Sequence, residues 1–141
     1  MTKVLVFGTF DHLHPGHRNF LAQAQALANE VIVSVAQDRV VEFLKHRSPL
    51  QQLSDRMAAL DKLPEVAQVV AGDTELGTYQ RFRDLRPELV AFGYDQTELA
   101  KDFQRFQHAI GDETPTVVLK PYQPEEFKSS LLRAANDSSS L

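Results

Sequence analysis

The chain has 141 residues and a mass of 15.9 kDa, which suits one domain. Its 43% hydrophobic and 24% charged residues can build a core, and the lack of cysteine excludes disulfides and thiolate metal sites. A net charge of −4 with a pI near 5.7 argues against a general electrostatic grip on nucleic acid. No apolar run approaches the roughly 20 residues that span a bilayer, and the apolar stretch at Met1–Gly8 is too short for a signal peptide, so no membrane partner and a cytoplasmic location are expected.

Taken in chain order, Lys3 to Gly8 is nearly all apolar, as a strand buried on both faces would be. From Pro15 to Asn29, Phe20, Leu21, Ala24, Leu27 and Ala28 recur at steps of three and four, which predicts an amphipathic helix with proline in its first turn. Glu30 to Ala36 reads as a second strand. Gln37 to Leu50 is mixed and carries Lys45, His46 and Arg47. Gln51 to Leu63 has helical spacing, Val66 to Ala71 suits a strand, and Gly72-Asp73 a turn.

Tyr79 to Leu85 predicts a short helix that stops before Arg86-Pro87. Leu89 to Phe92 is a fourth strand, Thr97 to Ile110 a helix, and Thr116 to Leu119 a fifth strand. A last helix is expected from near Pro124, followed by a polar, flexible tail over 136–141, so that one domain covers 1–135. The alternation predicts a single-domain, Rossmann-like α/β fold: a parallel five-stranded sheet with helices on both faces. Such sheets bind ligands beyond the carboxyl ends of their strands, where the strand order reverses.

Gly8-Thr9-Phe10-Asp11-His12-Leu13-His14-Pro15-Gly16-His17 joins the first strand to the first helix. A helix N-terminus there offers backbone N–H groups to phosphate, and glycine lets the backbone come close. His14 and His17 are near enough in sequence to share one cleft. The same histidines could instead be a metal site with Asp11, or ordinary loop residues; the glycine-rich strand-to-helix setting favours phosphate.

This segment resembles the cytidylyltransferase-like nucleotidyltransferases, with their Gly-Thr-Phe-Asp opening and His-x-Gly-His signature. The similarity extends to about Arg133. Gly93-Tyr94-Asp95-Gln96, after the fourth strand, is similar to the string in archaeal-type FAD synthases, a branch close to the glycerol-3-phosphate cytidylyltransferases. The resemblance implies that His14, His17 and Lys45 are catalytic. It implies nucleotide contacts from Gly8, Thr9, Phe10, Asp11, Gly16, Gly93, Tyr94, Asp95, Ser129 and Ser130, and acceptor contacts from Asp11, Lys45 and Arg56. Read without it, Lys45 is a solvated basic residue, Arg56 a surface helix residue paired with an acid, Gly93–Gln96 a turn, and Ser129 and Ser130 ordinary helix positions. The chain departs from the family in lacking its Arg-Thr-x-Gly run upstream of Ser129; Lys120 or Lys128 would take the arginine's place.

The implied reaction is attack of an acceptor phosphate oxygen on the α-phosphorus of a nucleoside triphosphate, ATP or CTP, releasing pyrophosphate. Mg²⁺, held mainly by substrate phosphates, is the implied cofactor, with no certain protein ligand. The leaning is to adenylyl transfer onto FMN. CTP-dependent transfer to glycerol 3-phosphate or a phosphocholine- or phosphoethanolamine-type acceptor is the alternative, and a non-catalytic nucleotide-binding module a further one. Family members are often dimers, so a homodimer is allowed.

Overall fold

The computed structural model describes residues 2–122. The helix expected near Pro124, the substitute at Lys128, the serines Ser129 and Ser130 and the tail all lie outside the described residues.

Strand β1 (Lys3–Gly8) leads into helix α1 (Pro15–Leu27), and β2 (Glu30–Val35) into α2 (Asp38–Lys45) and α3 (Leu53–Asp61). There follow β3 (Gln68–Ala71), α4 (Gln80–Leu85), β4 (Leu89–Phe92), α5 (Thr97–Ile110) and β5 (Thr116–Val118). All neighbouring strands are parallel, in the order β3-β2-β1-β4-β5. The chain thus builds outward from β1 to β3, then returns to the other side of β1 with β4. The reversal opens between the carboxyl ends of β1 and β4, as this sheet class requires.

The period of two along β1 sorts its side chains between two cores. Val4 and Val6 pack with Phe20, Leu21 and Ala24 of α1 and Leu60 of α3. Leu5 faces the other way, toward Phe82 of α4 and Ala100 and Phe103 of α5. Helices therefore cover both faces, and the central strand is apolar from Val4 to Phe7 because neither face there is open to water.

The helix α2 is an addition to the elements expected from sequence. Its apolar residues do not form one inward stripe: Val41 is buried, whereas Phe43 and Leu44 are 70% and 58% exposed. Val40, Val41, Phe43 and Leu44 nonetheless recur at helical spacing, so the helix has an apolar side that the described residues leave largely uncovered. His46, at φ 57°, ends it in the left-handed region with its N–H on the Glu42 carbonyl. The third strand is shorter than expected because Leu63 and Val66 close successive turns onto Leu60 and Leu63, although Ala67 already bonds to Val31. Among the described residues no helix is long and apolar enough to cross a membrane.

Candidate functional site

Beyond Gly8, which still pairs with Val35 and accepts the Ala36 N–H, the chain makes a tight turn through Thr9–His12. Phe10 and His12 both have positive φ, 52° and 55°. The Phe10 ring is fully buried, with ring centroids 5.4 Å from His17 and 6.3 Å from Phe20. The turn is tied to the α2–α3 connection. Asp11 accepts the N–H groups of Leu50 (2.7 Å) and Gln51 (2.9 Å), one on each oxygen, and His12 N–H donates to Gln51 Oε1 at 2.9 Å. Thr9 is itself 6% exposed.

Arg56 anchors the same junction. Its guanidinium donates to the Thr9 carbonyl (2.9 Å), the Gln51 carbonyl (3.0 Å) and the Asp38 carboxylate (2.5 Å). It has no exposed surface at all. The surface-helix reading is corrected by this burial. The guanidinium is committed to three protein partners and builds the loop, and the two oxygens of Asp11 serve the same loop's geometry.

The histidines form an imidazole version of a capping box. His14 is the N-cap of α1, and its Nδ1 accepts the Gly16 N–H at 3.1 Å. The His14 N–H in turn donates to His17 Nδ1 at 3.3 Å. The rings stack 3.7 Å apart at 20°. The His14 side chain therefore caps the first turn of α1. An Nδ1 that accepts leaves the neutral ring's proton on Nε2. Both rings are thus set as Nε2–H donors. Gly16 is required by closeness: a Cβ there would lie 2.9 Å from His14 Cε1.

His17 is 2% exposed. Burial, then the charges of His14 and Lys45, lower its pKa to about 3, against a smaller opposing pull from Asp11. It is a neutral donor throughout the physiological range. Lys45, the last residue of α2, is half-buried. Its pKa is lowered by that burial first and by Arg47 next, with Asp11 and Asp95 pulling the other way. Electrostatic coupling thus links His17 to His14, Lys45 and Asp11, and Lys45 to Asp11 and Asp95.

On the β4 side, Gly93 is buried, Tyr94 is 55% exposed and Asp95 is half-buried. Among the described residues Asp95 Oδ1 is buried without a hydrogen-bond partner, and burial raises the carboxyl's pKa while a backbone hydrogen bond and then Lys45 oppose the rise. Sequence reasoning overlooked the neighbouring Gln96, which is 7% exposed. Its Oε1 accepts the Gly93 N–H (2.8 Å) and its Nε2 donates to the Phe7 carbonyl (2.9 Å), bridging the carboxyl ends of β4 and β1. The only sequence signal for it was its place at the end of the Gly93–Gln96 string. Among the described residues no group of three or more His, Asp or Glu could hold a metal ion, which leaves the histidine metal-site reading without a ligand set.

The sequence matches the cytidylyltransferase-like family over residues 5–135. It is 36% identical over 130 residues to an FAD synthase of Aciduliprofundum boonei, covering 92% of this chain and 86% of that one. It is 38% identical to an FAD synthase of Thermococcus onnurineus, with 90% and 84% covered. Among solved structures, the lipopolysaccharide core biosynthesis protein of Thermoplasma volcanium superposes with a TM-score of 0.80 at 25% identity, covering 87% of this chain and 99% of that one.

Proposed function

The chain belongs to the cytidylyltransferase-like family of nucleotidyltransferases, and from that premise we propose that it transfers AMP from ATP to FMN, yielding FAD and pyrophosphate. The observation that carries this reading is the stacked pair of imidazoles at the start of α1, each with Nδ1 accepting a backbone N–H. The curated relatives named FAD synthase support FMN as acceptor over glycerol 3-phosphate.

In this reading an FMN phosphate oxygen attacks the α-phosphorus in line as the bond to the β-phosphate breaks. The acceptor is already an anion near neutral pH, so no strong base is needed. The Nε2–H groups of His14 and His17 donate to the triphosphate oxygens on which charge grows. Lys45 supplies positive charge, and phosphate beside it would oppose the lowering of its pKa by burial. Because His17 is neutral, it acts by hydrogen bonding and carries no net charge to the substrate. His17→Ala is expected to lower kcat by roughly a hundred- to a thousand-fold.

The residues fit a divalent cation shared with the substrate. Asp95 has a buried oxygen with no hydrogen-bond partner among the described residues and a carboxyl whose pKa burial raises, and a cation would satisfy the one and oppose the other. Mg²⁺ there would neutralise phosphate charge.

The test is incubation of the protein with ATP, CTP, GTP or UTP against FMN, glycerol 3-phosphate, phosphocholine and phosphoethanolamine, with products identified by mass. FAD from ATP and FMN is expected, and is lost on adding EDTA. A CDP-linked product instead would move the protein to the other branch. No pyrophosphate from any pair would make it a binding module.

A further inference from the structure

The Thr9–His12 turn is the most strained backbone in the site, since Phe10 and His12 both hold positive φ without being glycine. L-residues avoid that region because Cβ crowds the backbone, and they persist there only where the surroundings over-determine them. Phe10 is held by its own buried ring. His12 has no such anchor, because its side chain is exposed. Its backbone N–H is gripped by Gln51 Oε1 at 2.9 Å.

Gln51 does more than receive that one bond. Its N–H donates to Asp11 Oδ1 at 2.9 Å, and its carbonyl accepts Arg56 Nε at 3.0 Å. It sits on the connection between α2, which ends at Lys45, and α3, which carries Arg56. One residue outside the signature segment therefore ties the turn that precedes the histidines to the segment that follows the lysine.

We propose that Gln51 is a positioning residue for the transfer reaction: its side chain holds the His12 turn and so fixes His14 and His17 relative to Lys45. The inference rests on the proposed adenylyl transfer. Misplacing aligned groups by a fraction of an ångström costs rate more than binding, because the transition state needs the alignment and the ground state does not.

The experiment compares Gln51→Ala, Gln51→Asn and Gln51→Glu with the unaltered protein, measuring kcat, KM for ATP and FMN, and hydrogen exchange at the His12 amide. Alanine removes the acceptor. Asparagine is one methylene too short for it, a milder change should alanine prevent folding. Glutamate keeps an oxygen in place. Gln51→Ala and Gln51→Asn are expected to lower kcat by roughly ten- to a hundredfold with KM moving far less, and to speed exchange at His12. Gln51→Glu should restore both. Unchanged kcat in the alanine and asparagine variants, or a glutamate variant as impaired as they are, would overturn the inference. If the unaltered protein makes no FAD, the functional reading fails instead, and exchange at His12 still decides whether Gln51 holds the turn.

Discussion

His17 receives the His14 backbone N–H on its Nδ1 at 3.3 Å, while the two rings lie stacked 3.7 Å apart. This places a buried imidazole where protonation would both break that bond and leave a cation out of water. The native pKa of about 3 lies below the ordinary 6.5. Between those values the unfolded chain binds a proton that the native state refuses. Stability is therefore expected to fall as pH drops from about 6.5 toward 3, with no contribution from this group above that window. Thermal unfolding across the window should show a weaker pH dependence in His17→Asn than in the parent. NMR titration that finds the His17 ring protonating near neutrality would contradict the assignment.

Gly16→Ala should separate activity from stability. Alanine favours a helix by about 1 kcal/mol over glycine, yet its Cβ would press on the His14 ring at 2.9 Å. The exposed ring must swing aside, giving up its bond to the Gly16 N–H and its stack on His17. Assays should find a well-folded protein with strongly reduced kcat. Full activity in that variant would mean that the ring's position is irrelevant.

Arg56→Met is expected to act on folding. It leaves the Thr9 and Gln51 carbonyls without their donor and the Asp38 carboxylate without its counter-charge. Asp38 is partly exposed and can be solvated, but each buried carbonyl left without its donor costs about 1 kcal/mol or more, readable as a lowered denaturant midpoint. A variant of parental stability with raised KM for the acceptor would return Arg56 to the binding role suggested by its sequence context.

Lys45→Gln keeps the bulk of the stem but removes the charge that the half-buried site holds beside Asp11 and Asp95. Weaker acceptor or triphosphate binding and a lower kcat/KM are expected, with little change in the unfolding midpoint. Because burial already disfavours the charged form, the loss costs the native state little. Steady-state kinetics identical to the parent would remove lysine from the site.

The sheet was readable from the sequence because β1, β2 and β4 are buried on both faces and show it in runs that are nearly all apolar. The His14–His17 segment was readable because its residue types and spacing are unusual together. The α2 helix was not, since it spans only two turns and its apolar positions, though at helical spacing, sit among the charged residues of a segment that reads as mixed. Arg56 was misjudged for a similar reason: composition places arginine at the surface, and only tertiary structure could show the three acceptors gathered around it. Gln51 and Gln96 work through backbone groups distant in sequence, which no local pattern records.

The Lys120 backbone is fastened to α1 by two bonds with the Gln23 side chain, at 2.9 and 3.0 Å. Gln23 lies six residues along the helix from His17, roughly 9 Å at 1.5 Å per residue. The segment that leaves the sheet edge after β5 is thus moored to the very helix the imidazoles begin, so a shift of that helix would carry both together.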